Sequence, residues 1–105
     1  MSNTYQIYLI SDSTGETLDR VFLAIKAQFK NIEYDVNSYF FTRTENQVIK
    51  IIEEAKKKDN SIILYTIVDT SLAKFLANKG GEKKIPCFSV LGNLIMNFSK
   101  LLNQK

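Results

Sequence analysis

The chain has 105 residues, 45% hydrophobic and 24% charged, and its formal net charge of +3 comes from 14 Lys and Arg against 11 Asp and Glu. That length suits one domain with a core of its own and is short for both sites of a nucleotide-dependent enzyme, while one Pro and four Gly leave little room for disordered linkers. A single Cys and no His exclude an internal disulfide and leave no basis for a thiolate metal cluster, and no leader-like segment or apolar run of membrane-spanning length is visible, so a soluble protein of the reducing cytoplasm is expected.

Tyr5 to Ile10 (YQIYLI) is β-rich and apolar and predicts a first strand, followed by the polar loop SDSTG at 11–15. Leu18, Val21, Phe22, Ile25 and Phe29 then recur at intervals of three and four, which predicts a helix from near Thr14. Ser13 and Glu16 have the S-x-x-E spacing of a capping box at its start. A second unit repeats the pattern: a strand over Tyr34 to Phe41, Thr42 and Glu45 again three apart, and a helical face of Val48, Ile51, Ile52 and Ala55.

After the turn at Asp59 and Asn60, the continuous apolar run Ser61 to Val68 (SIILYTIV) predicts a central strand covered on both sides. A short helix from about Thr70 carries Leu72, Phe75 and Leu76 on one face, with Gly80 and Gly81 expected to stop it. Ile85 to Val90 reads as a short strand weakened by Pro86. It leads into Leu91, Leu94, Ile95, Phe98, Leu101 and Leu102 at helical spacing.

Four strand–helix units imply parallel pairing through right-handed crossovers, hence a three-layer, doubly wound α/β sheet of four strands in the order 2-1-3-4, with residues 1–105 forming a single domain. The lysines at 56–58 and at 79, 83 and 84 fall where helices end, which suits the helix dipole. No aromatic residues interleave with them, so no nucleic-acid partner is expected. Cys87 follows Pro86 in an apolar run and reads as a small buried residue, since no His is available to activate it as a nucleophile.

In a parallel sheet the loops after the strands gather on one rim. Here that rim would carry Ser11, Asp12, Ser13, Thr14 and Gly15, then Arg43 and Thr44, Asp69 and Thr70, and Gly92 with Asn93. The first loop puts hydroxyls and a glycine before a helix whose free N–H groups favour an anion, so Ser11, Ser13, Thr14 and Gly15 are candidate phosphate ligands. Asp12 and Glu16 add negative charge at the same place, and SDSTGE matches neither Walker A nor G-x-G-x-x-G, so helix capping is an equally physical account. Arg43 is a candidate phosphate clamp or else a surface ion-pair partner, and Asp69 a candidate Mg²⁺ ligand or base or else a helix cap.

The segment LISDSTGETLDRVFLAIKAQF at 9–29 resembles the opening signature of the regulatory proteins of pyruvate, phosphate dikinase and phosphoenolpyruvate synthase. FTRTENQV at 41–48, ILYTIVD at 63–69 and IPCFSVLGNLI at 85–95 are similar to later segments of that family, in the same order. The resemblance implies a bifunctional cytoplasmic enzyme that uses ADP to phosphorylate a threonine of the dikinase, and inorganic phosphate to remove that group as pyrophosphate. Ser13 resembles the dikinase branch, the synthase branch having a glycine there. The resemblance also implies a glycine-rich P-loop in a second half, and no G-x-x-x-x-G-K-[ST] occurs in this chain. The expectation is therefore an amino-terminal domain, inactive alone, in which Ser11, Ser13, Thr14, Gly15 and Arg43 contact phosphate while Asp12 or Asp69 orients a metal or the attacking hydroxyl. Its partners would be the dikinase, the P-loop domain and a possible second copy. The alternative is a non-catalytic module for dikinase recognition or dimerisation; a response-regulator-like domain fits less well, for want of a lysine after a later strand.

Overall fold

The structure, a computed structural model, describes residues 4–103, so the two ends of the expected 1–105 domain lie outside the described residues. Strands β1 (Tyr5–Ser11), β2 (Tyr34–Tyr39), β3 (Ser61–Thr66) and β4 (Cys87–Ser89) alternate with helices α1 (Glu16–Gln28), α2 (Glu45–Lys56), α3 (Thr70–Glu82) and α4 (Gly92–Leu101). All strand pairs are parallel, in the order β2-β1-β3-β4. The alternation thus produces the α/β sheet that it predicts.

The two central strands are apolar on both faces because each face meets its own layer. Tyr8, Ile10, Ile63 and Tyr65 pack with Val48, Ile51, Ile52 and Ala55 of α2 and with Leu72 and Leu76 of α3. On the other face Ile7, Leu9 and Leu64 pack with Leu18 and Phe22 of α1. β2, at an edge, has no buried residue: three of its six are exposed and three half-buried. Lys56 lies in the last turn of α2 and Lys79 in that of α3, as the dipole favours.

Several predicted boundaries move. β2, β3 and β4 end at Tyr39, Thr66 and Ser89, before the apolar runs do, because the residues that follow turn to form the rim. Thr42 is not a cap: it is buried and its hydroxyl donates to the Tyr39 carbonyl at 3.1 Å. The capping box of α2 is instead Thr44 with Gln47, two residues on.

The glycines at 80 and 81 do not stop α3, which runs through them to Glu82. Gly80 is buried, and a Cβ there would collide with the Cys87 sulfur, so its role is close packing of α3 on β4. The left-handed residue after this helix is Lys84, with φ of 59°.

Candidate functional site

β1 leads to β2 on one side, and β3 lies on the other, which makes the carboxyl end of β1 the point where strand order reverses. A cleft of about 240 Å³ opens there, lined by residues 11–17 and 66–68 with Ser89, Leu91, Gly92 and Ile95. Its floor is set by the loop after β1. Ser11 is buried; its Oγ accepts the Ser13 N–H at 3.1 Å and lies 3.3 Å from both Ser13 Oγ and Thr66 Oγ1.

Backbone contacts fix the same loop on both flanks. The Phe41 and Thr42 N–H groups donate to the Ser13 and Ser11 carbonyls at 3.0 and 2.9 Å, tying it to the end of β2. The Asp12 carboxylate accepts the Val68 N–H at 2.8 Å and its own N–H donates to the Thr66 carbonyl at 3.2 Å, tying it to the end of β3.

The capping box expected of Ser13 and Glu16 does not form. Ser13 is held by Ser11, and α1 starts two residues later than predicted, at Glu16, after Gly15 in the left-handed region with φ of 80°. A Cβ at Gly15 would strike the Phe40 ring, so only glycine permits both the turn and the approach of the second strand's end. No side chain caps α1, and the first-turn residues Glu16 and Thr17 line the cleft. α4 likewise starts at Leu91 without a side-chain cap, although Ser89 Oγ accepts the Gly92 N–H at 3.1 Å. α2 and α3 differ: Thr44 accepts from Gln47 and Asp69 accepts from Leu72.

Of the predicted site residues, the structure brings Ser11, Asp12, Ser13, Thr14 and Gly15 into one cleft wall, with Gly92 opposite. Arg43 stands at the rim rather than in the lining. Its Nε donates to the Asp12 carbonyl at 3.1 Å and its guanidinium lies 5.5 Å from the Phe41 ring centroid, so a backbone oxygen and an aromatic face hold it. Asp69 is outside the lining and is engaged as the cap of α3 at 3.1 Å from the Leu72 N–H. Thr66 and Ser89 are lining hydroxyls that the sequence reading placed within strands; their signal is position at a strand's last residue, legible only once the boundary is known.

The lining holds the carboxylates of Asp12 and Glu16 and no Lys or Arg. Any anion there would be met by backbone N–H groups, hydroxyls and the Arg43 charge at the rim, or by a cation shared with the carboxylates. Cys87 is apart from the cleft lining, and burial pushes its thiol up to about 11, so it stays protonated near neutrality and packs rather than attacks.

Residues 7–105 match the kinase/pyrophosphorylase family. The chain belongs to that family. It is 92% identical over 105 residues to a Pelagibacter ubique (strain HTCC1062) protein named as a pyruvate, phosphate dikinase regulatory protein, covering 100% of this chain and 38% of that protein. Proteins of the same name from Geotalea uraniireducens and Ehrlichia chaffeensis are each 34% identical, over 97 and 104 residues, covering 92% and 99% of this chain. The chain spans 36% of the Geotalea protein and 38% of the Ehrlichia one, well under half the length of these relatives. Among the described residues no helix is long and apolar enough to cross a membrane.

Proposed function

We propose that this chain is the amino-terminal part of a cytoplasmic enzyme that phosphorylates a threonine of pyruvate, phosphate dikinase with ADP and removes that group with inorganic phosphate. In this reading the cleft takes the phosphate or phosphoryl group, and the nucleotide is held by a P-loop in the rest of the polypeptide. The observation that carries it is the contrast in helix starts: α1, whose first turn lines the cleft, has no side-chain cap, and α4 has only the Ser89 Oγ on its Gly92 N–H, while α2 and α3 are capped by Thr44 and Asp69. Uncapped first-turn N–H groups at the positive end of a helix suit an anion.

The size of the cleft agrees with a part-site. At about 240 Å³ it falls below the roughly 300–1,000 Å³ of pockets that enclose a drug-sized ligand, so it suits a phosphate or pyrophosphate better than a whole nucleotide. Phosphoryl transfer needs positioning and charge neutralisation more than covalent chemistry from the protein, so a site divided between two parts of a chain is workable. Ser11, Ser13, Thr14 and Gly15 would contact the phosphate and Arg43 would clamp it from the rim.

Asp12 is the carboxylate placed to orient a metal or the attacking hydroxyl; Asp69 lies outside the cleft lining, with Oδ1 engaged by the Leu72 N–H. Magnesium fits the donor set, since hard oxygen ligands line the cleft. Among the described residues no group of three or more His, Cys, Asp or Glu could hold a metal, so substrate phosphate oxygens would have to complete the shell. Bound there, Mg²⁺ would neutralise phosphate charge beside Asp12 and Glu16.

Calorimetric titration with phosphate, pyrophosphate and ADP, each with and without Mg²⁺, tests this. Saturable phosphate or pyrophosphate binding that falls on the order of tenfold in Arg43→Ala is expected. No binding of any of the three would sink the cleft assignment and favour a recognition or dimerisation module, to which the exposed apolar face of α4 lends its own support.

A further inference from the structure

α4 buries none of its residues. Leu94, Ile95, Phe98, Leu101 and Leu102 recur at intervals of three and four, and their exposures are 56%, 52%, 58%, 79% and 61%. Among the described residues they form one apolar face that is more than half exposed. Phe88, in register with Leu64 on the α1 side of the sheet, is a second exposed apolar side chain, at 56%. The Cα radius of gyration, 14.1 Å, exceeds the about 13 Å of a compact chain of this length. A helix of ten residues is below the roughly 12–15 at which isolated helices become even marginal in water, so α4 needs a packing partner to persist.

We propose that this partner is the polypeptide that the longer relatives carry outside the region matched here, and that in docking on α4 it closes the outer wall of the cleft. The inference rests on the reading of the chain as one part of a longer enzyme. Two observations favour that occupant over a second copy. A relative 92% identical across the whole chain devotes only 38% of its length to this region, so the remaining polypeptide is tethered to it. A tethered partner acts at an effective concentration on the order of millimolar, which a separate copy would not match. Ile95 supplies the second: it belongs both to the apolar face and to the cleft lining, so whatever covers the face also borders the cleft.

The test is amide hydrogen exchange of α4 in two chains: the 105-residue chain, and the Pelagibacter relative carrying this sequence in its matching region. In the longer chain α4 exchange slows by at least about tenfold. Phe98→Glu with Leu101→Glu in that chain restores the fast rate while β1 and β3 stay protected, which separates loss of docking from loss of fold. Equal exchange of α4 in the two chains overturns the proposal. So does a 105-residue chain that light scattering shows to be a dimer at micromolar concentration with α4 already protected, since the occupant is then a second copy. No phosphate enters the measurement, so its outcome is independent of whether the cleft binds one.

Discussion

Among the described residues, eleven buried ones, from Tyr8 to Ile85, close a continuous core on the α2 and α3 side of the sheet, whereas the buried cluster on the α1 side has five and α4 contributes to neither. The helix starts divide in the same way. α2 and α3 each have a side-chain cap, Thr44 on the Gln47 N–H and Asp69 on the Leu72 N–H, whereas α1 has none and α4 has only Ser89 Oγ on the Gly92 N–H. One side is complete in itself and the other is left with unfilled apolar and polar valences. α1 and α4 also border the cleft, and under the proposed function that is where a phosphate or a partner would be met, since atoms satisfied within the fold have little left to offer one.

The largest expected effect tests the packing half of this contrast. Leu76 is fully buried between α2, α3 and the sheet, and Leu76→Ala is expected to cost about 2–5 kcal/mol through lost transfer energy and a residual cavity. Leu101, at 79% exposure, is expected to change stability by no more than about 0.5 kcal/mol when replaced by Ala. Urea unfolding of both variants decides it, and comparable losses would mean that α4 is packed in solution.

A loss of comparable size is expected at Gly15, where the cleft and the sheet meet. Gly15→Ala would hold an L-residue at φ of 80°, at roughly 1–2 kcal/mol, and push a methyl into Phe40, at about 1–3 kcal/mol more. A destabilisation of about 2–5 kcal/mol is expected together with loss of phosphate binding, because the start of α1 must move. Unchanged phosphate affinity in a folded Gly15→Ala protein would show that the α1 terminus is not the anion-binding element.

Much of the closed side is legible in the sequence, because Val48, Ile51, Ile52 and Ala55 follow a helical period and Ser61 to Val68 is a continuous apolar run bounded by turn residues. The strand order follows from chain alternation and handedness. Apolar period alone does not say where a strand ends: it carries β2 to Phe41, yet the backbone turns after Tyr39 and Phe41 takes φ of 56°. Nor does it say what an apolar face packs on, and α4 has the right spacing over open space. Gly80 shows the same limit, since its sequence signal is that of a stop and its structural role is contact with Cys87. At the cleft, the residues of the first loop are legible by their position between strand and helix. Their mutual bonding is not, because Ser11 takes the Ser13 N–H through a turn that tertiary pairing with Phe41 and Thr42 stabilises.

The smallest expected effect separates a cap by pattern from a cap by structure. Ser13 and Glu16 have the spacing of a capping box and do not form one, whereas Thr44 and Gln47 form one. Thr44→Ala should therefore cost about 1 kcal/mol, which for a domain of this size lowers the melting temperature by roughly 4–8 °C. Ser13→Ala should cost less than about 0.5 kcal/mol, since among the described residues the exposed hydroxyl it removes hydrogen-bonds to Ser11 Oγ alone. Equal melting shifts would mean that Ser13 reaches the α1 amides in solution after all. The first-turn N–H groups would then be occupied by the protein itself, and the cleft would lose the feature that distinguishes it from the capped helix starts of α2 and α3.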